Sequence, residues 1–274
     1  MKNLLITILI VGIAHISMAQ KTGKDSARVY ADSLKFKRDD NGLSITFGKK
    51  DTNYTSNEAD KKKDHDKARA YFGITFSRFD LGFATLIDNG SFTLSPQNEF
   101  LSYRQIKTSN VGFDVVQFGV KFSKTFRIYL SGGFDWTLIR LRDNITILPN
   151  QPVLTYRTDN IDYSKNRFSS SYLRIPLSFE FRSKMDSRGN RFHFVIGPDG
   201  GFLLDGMVKQ ISAEHGKQKV SDTYHFATFR YGGFTRIGYG DFGLFAKYYT
   251  NDMFENSPAQ AGLKNLSFGL TVGF

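Results

Sequence analysis

From position 70 onward, apolar side chains alternate with polar or small ones in run after run, with a period of two. That period marks strands with one face buried and one face in a different medium. Eight runs stand out, at 70–83, 112–123, 126–141, 167–182, 191–204, 222–239, 242–250 and 263–274. In the third, Phe126, Ile128, Leu130, Phe134, Trp136 and Leu138 face away from Arg127, Tyr129, Ser131, Gly133, Asp135 and Thr137. In the fourth, Leu173, Ile175, Leu177, Phe179 and Phe181 oppose Arg174, Ser178, Glu180 and Arg182. The first run is the least regular, because Arg78 and Asp80 disturb its alternation.

The third and fourth runs reach about fifteen residues, where strands of globular proteins average about five or six and bilayer-crossing strands need about nine to eleven. Their connections alternate in length. Lys124-Thr125, 183–190 and Gly240-Asp241 are short, whereas 84–111, 142–166, 205–221 and 251–262 are long. Short turns on one side and long loops on the other are the rhythm of bacterial outer-membrane barrels. The pattern predicts an all-β fold, an eight-stranded antiparallel up-and-down transmembrane β-barrel, with both termini on the periplasmic side.

The chemistry of the two faces fits. Lipid leaves unpaired backbone groups unsatisfied, so a sheet can cross it only when closed. The outward faces carry almost no charge. The inward faces carry Lys121, Arg127, Asp135, Arg174, Glu180, Arg182, His193 and Lys247, a predicted polar network in the lumen. Eight strands leave an interior just wide enough for side chains to fill, so these groups are expected to form a plug of ion pairs around Asp135 and Glu180 and not an open pore. On the last run Leu266, Phe268, Leu270, Val272 and Phe274 are assigned to the lipid face, and Asn265, Ser267, Gly269, Thr271 and Gly273 to the interior. A terminal Phe with apolar residues at every second position resembles the signal read by the barrel assembly machinery.

The N-terminal part differs. Lys2, an apolar run from Leu4 to Ile13 and then Ser17-Met18-Ala19 make a signal peptide over 1–19, cut after Ala19. The run is shorter than the roughly 20 apolar residues that a membrane helix needs. Residues 20–69, rich in Lys, Asp, Asn and Ser, read as a mostly flexible periplasmic lead-in with one strand-like piece at 43–47, ahead of a barrel at 70–274. The 274 residues include 27 Phe, 13 Tyr and 25 Gly, a composition that favours strands and tight turns. No Cys is present, which excludes disulfides and thiolate chemistry. The net charge of +11 is spread singly through the strands and belongs to no nucleic-acid-binding motif. Anionic lipid headgroups of the outer leaflet are the better partner for basic rims.

The stretch Ser171-Tyr172-Leu173-Arg174-Ile175-Pro176-Leu177-Ser178-Phe179-Glu180-Phe181 resembles the Tyr-Leu-x-Ile-Pro-Leu strand of the PorT-like outer-membrane β-barrel proteins of Bacteroidetes. The ending Leu266-Ser267-Phe268-Gly269-Leu270-Thr271-Val272-Gly273-Phe274 is similar to that family's last strand, and the Ala19-Gln20 cleavage site fits the same group. The resemblance covers about residues 70–274 and implies an outer-membrane barrel. The namesake implies a link to type IX secretion, but no residue here carries that role over. Pro176 lacks the donor that a sheet ladder uses, and is expected to mark a bulge.

Catalytic and cofactor motifs are weak. Gly238-Tyr239-Gly240-Asp241-Phe242-Gly243 matches a dinucleotide fingerprint, but a strand follows it where a helix is needed, so it reads as a hairpin turn. Gly197-Pro198-Asp199-Gly200-Gly201 reads as a bulge or kink within its strand. His65, His193, His215 and His225 show no metal-ligand spacing, and Lys63-Asp64-His65-Asp66 reads as a solvated charge run. His215 with Glu214, and His225 with Asp222, are the pairs that a rim enzyme acting on lipid or peptide would use. Trp136 and Tyr156, Tyr163, Tyr172, Tyr224, Tyr248 and Tyr249 are candidates for interfacial aromatic girdles, with only one of the last two able to serve. The sequence is therefore read as a monomeric outer-membrane barrel without catalysis, cofactor or metal. Its role is structural, or that of a platform for protein partners bound through the outer loops or the 21–69 segment. A rim enzyme and a soluble lipocalin-like binder are the alternatives.

Overall fold

The computed structural model describes residues 34–39, 42–47, 69–74 and 78–273. The expected signal peptide, the Lys63-Asp64-His65-Asp66 stretch and Phe274 lie outside them. A hairpin of β1 (Leu34–Asp39) and β2 (Gly42–Phe47) precedes β3 (Arg69–Ile74) and pairs with it through β2. There follow β4 (Phe79–Asp88), β5 (Ser109–Lys121), β6 (Phe126–Arg140), β7 (Ile145–Ile147), β8 (Tyr156–Thr158), β9 (Tyr163–Arg182) and β10 (Phe192–Ser212). The last are β11 (Gly216–Asp222), β12 (Phe229–Tyr239), β13 (Phe242–Tyr249) and β14 (Leu263–Val272).

Eight antiparallel staves close on themselves. β3 and β4 together form the first, both running along β5. The ring continues through β5, β6, β9, β10, β12, β13 and β14, and β14 returns to β4, from Leu263 opposite Asp88 to Val272 opposite Phe79. Closure removes the sheet edges that a membrane would not tolerate. The seam is tight. Gly82 lies opposite Gly269, and a Cβ on Gly82 would sit 2.1 Å from the carbonyl oxygen of Phe268.

Arg78 and Asp80 obey the alternation after a shift in phase. Ile74 lies opposite Val116 and Phe79 opposite Phe113, so five steps on the first stave match three on β5. β5 carries its own bulge between Asp114 and Val116, against Gly133 and Gly132 of β6. Below the shift Phe72 and Phe118 are exposed, and above it Phe79, Leu81 and Phe83 are, while Arg78 and Asp80 are buried. Bulges re-aim side chains in this way without ending the strand.

Two proline expectations are corrected. β9 and β10 keep one register through Pro176, opposite Asp199, and shift only between Leu203 and Asp205 and at the far end beside Ser212. Pro176 therefore marks no bulge, and neither does the 197–201 stretch. The ladder skips rungs beside both prolines, between Ile196 and Asp199 on β10 and between Leu130 and Gly133 on β6, so the missing N–H groups fall where no rung is made. β10 also runs on to Ser212, past the expected end at 204, and folds back into β11. Residues 223–228 are not strand, because Tyr224 and His225 adopt left-handed φ values of 47° and 57°. As expected, Gly240, at φ 60°, turns β12 into β13.

The outer wall is apolar all round, with Phe72, Leu81, Leu130, Ile175, Ile196, Ile237, Leu244 and Leu270 all exposed. A continuous band of this kind far exceeds what a water-soluble monomer presents. Together with the charged interior it contradicts the lipocalin-like alternative.

Candidate functional site

The interior has two tiers. The tier nearer the short turns is a lattice of buried charge that links all eight staves. Asp80 of the first stave accepts from Nη2 of Arg236 at 2.8 Å, Nη1 of Arg174 at 3.3 Å and Oγ1 of Thr271 at 2.8 Å, and the Nζ of Lys247 lies 2.9 Å away. Asp135 of β6 accepts from Lys247 at 2.8 Å, Arg230 at 2.6 Å and Asn110 at 3.0 Å. Arg174 reaches Asp199 of β10 at 2.7 Å, and Asp114 of β5 takes Arg78 at 3.4 Å. Closer to the turn end, Glu180 is shared by Arg127, Arg182 at 2.6 Å and His193 at 2.9 Å. Aromatic faces support the cations, with the Arg230 guanidinium 3.9 Å from the Tyr172 ring centre and 4.1 Å from that of Tyr249.

Of the predicted lumen residues, Arg127, Asp135, Arg174, Glu180, Arg182, His193 and Lys247 meet in this lattice. Lys121 does not join its buried part: it lies directly across from Arg127 but is exposed at the end of β5. Sequence reasoning missed Asp80, Asp114, Asp199, Arg230 and Arg236. Their signal was present, since each is a charge at the inward phase of an alternating run. Asp80 and Asp114 lay next to phase shifts, and Asp199 lay inside a stretch that read as a bulge or kink.

The tier nearer the long loops is built round an apolar cluster, which departs from the expected plug of ions alone. Leu86, Leu101, Ile139, Leu141, Ile147, Phe168, Val208, Tyr224, Phe226, Phe254 and Leu263 form one buried cluster to which all four long loops contribute. The Phe168 and Phe226 rings stack at 4.6 Å, and Phe254 lies 5.1 Å from Phe226. The alternation continues here, and its inward apolar residues lie beside buried, hydrogen-bonded polar ones such as Asn166 and Gln210. Between the tiers lies a cleft of about 20 Å³, beside Thr137, Tyr172 and Arg230, enough for about one water.

The aromatic candidates divide accordingly. Trp136 stacks with Phe113 and Phe134 on the outer wall, and Tyr248 also faces outward. Tyr172, Tyr224 and Tyr249 are buried inside and belong to no girdle. Tyr156 stacks on Phe100 in the loops at 4.5 Å, and Tyr163 donates to Asp159 there. The histidine pairs do not form dyads. His225 contacts the Gln151 carbonyl at 2.7 Å, Asp222 accepts from the Asn150 backbone, and His215 and Glu214 sit exposed at the β10–β11 turn. Among the described residues no cluster of His, Cys, Asp or Glu could hold a metal.

The second long loop carries a pH-dependent fastening. Burial alone would raise the Asp159 carboxyl. Hydrogen bonds from Thr146, from Arg157 at 2.8 Å and from Tyr163 at 3.0 Å outweigh it and hold the group below the usual aspartate range. Because the folded value is depressed, the stabilisation is complete above the unfolded value of about 3.9 and is lost as pH falls through the folded one. The protection of the β7–β8 hairpin amides, exchange corrected for its intrinsic pH dependence, should stay constant from about pH 8 to 5 and fall below about pH 4 relative to β6. Equal protection of the hairpin down to about pH 2, below the usual aspartate range, would show that Asp159 does not fasten it.

An apolar exterior, a charged interior and a closed ring of eight staves define an integral membrane protein of the β-barrel class. The chain belongs to the outer membrane protein beta-barrel domain family, which matches residues 71–255 and places it in the outer membrane. No curated protein matches it. Among solved structures it is similar to Ail, the attachment invasion locus protein of Yersinia pestis, crystallised with the heparin analogue sucrose octasulfate. The two share 13% identity over 72% of this chain and 95% of that one, with a TM-score of 0.30.

Proposed function

We propose that this protein is a sealed, non-catalytic barrel that holds its four long loops as one rigid extracellular head, a platform for a protein partner. The carrying observation is the filled interior, an ionic lattice beneath an apolar core to which every long loop contributes. The filled interior leaves little room for a transport path, and two of the residues that a rim enzyme would use, His225 and Asp222, fasten loops together instead.

On this reading the long loops face outward by the rule for bacterial barrels, and the short turns and both termini face the periplasm. The outward Phe268, Leu270 and Val272 of β14 present the pattern that barrel assembly machinery would read. The protein acts as a monomer, with lipid as its solvent and no nucleic acid among its partners. Membership of the PorT-like subgroup, with its link to secretion, is supported by the Tyr172–Leu177 motif.

Purified protein in planar bilayers should give no conductance steps, and a photocrosslinker at exposed Val153 in intact cells should capture a discrete protein. Steady conductance would refute the sealed interior. Crosslinks to lipid alone would refute the platform.

A further inference from the structure

We infer that the outer wall of the loop end carries a built site for the phosphates of anionic lipid headgroups, formed by Arg140, Arg167, Lys209 and Lys219. The inference rests on the proposed orientation, in which the loop end meets the outer leaflet.

The four cations form one row across four neighbouring strands. Arg140 of β6 lies directly opposite Arg167 of β9, Arg167 opposite Lys209 of β10, and Lys209 opposite Lys219 of β11. Their strand neighbours Ile139, Phe168 and Val208 are buried inside, so the row points outward. Strands lie about 4.8 Å apart, which spreads the row over about 14 Å. Lys107 and Lys165 border the same hollow on the wall, with Ser109, Leu138 and Ser164. Like charges directly opposite each other destabilise a sheet. Here the charges of Arg104 and Arg167 act on Arg140, and those of Arg167, Lys165, Lys217 and Lys219 act on Lys209. None of the four forms a salt bridge among the described residues, and the buried Nε of Arg167 has no hydrogen-bond partner. A repulsive row lacking internal counterions calls for external ones.

Position selects their source. Four residues down β10 from the row lies Asp205, and below it Leu204 and Phe202 are exposed and apolar. The row thus sits just beyond the band that faces acyl chains, at the depth of headgroups. Phosphate is a strong acceptor for arginine, which binds it through two parallel N–H groups. Several headgroups side by side would neutralise the row, whereas a soluble polyanion would gain nothing from the apolar wall beneath.

The test compares wild type with R140Q/R167Q/K209Q/K219Q in phosphatidylcholine vesicles with and without one-fifth phosphatidic acid. Two readouts are taken: phosphatidic acid retained on the barrel by native mass spectrometry, and the urea midpoint of unfolding. The wild type should retain phosphatidic acid about tenfold better than the variant, and its midpoint should rise with that lipid. In phosphatidylcholine alone the variant should be at least as stable as wild type, so the order of stabilities reverses between the two membranes. A variant with Gln at Lys124, Lys184, Arg188 and Arg191, at the turn end, should retain phosphatidic acid like wild type. R140Q/K219Q, which halves the row, gives an intermediate result and serves if the fourfold variant does not fold. Equal retention by wild type and the loop-end variants overturns the site. Retention displaced by soluble heparin, with no gain from phosphatidic acid in the membrane, overturns the lipid source. Labelling of Ala213→Cys, at the exposed β10–β11 turn, in intact cells reports the orientation separately, and is clean because the chain has no cysteine of its own.

Discussion

Asp80→Asn should leave almost no folded barrel in the outer membrane, read as loss of the band that migrates differently until boiled. Asp80 is the single carboxylate shared by Arg174, Arg236 and Lys247, from three different staves, and Thr271 of a fourth donates to it. Asparagine keeps the size and removes the charge. Arg174 retains Asp199 and Lys247 retains Asp135, but Arg236 is left with Asp114 at 3.8 Å. Removing one partner of a buried pair costs about 3–5 kcal/mol, because the other charge stays desolvated. That is a large part of a typical stability of about 5–15 kcal/mol. Asp241→Asn, on the exposed β12–β13 turn, should fold normally. Asp80→Leu with Arg236→Met should recover part of the loss, since an apolar pair replaces an ionic one without an orphan. If Asp80→Asn and Asp241→Asn fold alike, the lattice does not hold the staves.

Gly82→Ala is expected to damage closure itself. An added Cβ would meet the Phe268 carbonyl oxygen at 2.1 Å and the Gly269 Cα at 2.9 Å. These are backbone atoms of the last strand, so no side chain can swing aside. The strands must separate, and rungs of the ladder that joins the first stave to the last are lost. A cost of about 3 kcal/mol or more, the upper end for overpacking, is expected, with open or degraded chains in place of a heat-modifiable band. Gly233→Ala is the control, because its Cβ would meet nothing closer than 3.7 Å. Equal yields of the two variants would show that the seam can widen.

Most of the barrel was legible because a strand between lipid and a packed lumen must alternate, and β6 and β9 alternate nearly throughout. The legible part of the site came from the same rule, with Arg127, Asp135, Arg174 and Glu180 at clear inward phase. Asp80 and Asp114 escaped because phase is counted locally and both lie beside an insertion, where the count slips by one. Asp199 escaped because Gly-Pro-Asp-Gly-Gly reads as a bulge or kink, which hides the phase of its strand, whereas β10 keeps one register through it. The apolar upper tier was hidden for a different reason. Val208 and Phe168 lie in the loop-end half of their strands, where polar side chains face out and apolar ones face in, the reverse of the lower half. That inversion is read only from the closed structure, which shows which side of each strand faces in.

A barrel stoppered by Phe168, Phe226 and Phe254 also has a consequence for the cell's outer barrier. In the proposed orientation, each copy would add a protein head to the surface without adding a leak. Large hydrophilic antibiotics and periplasmic solutes would find no passage through it, and abundant expression would cost the cell neither osmotic balance nor drug resistance.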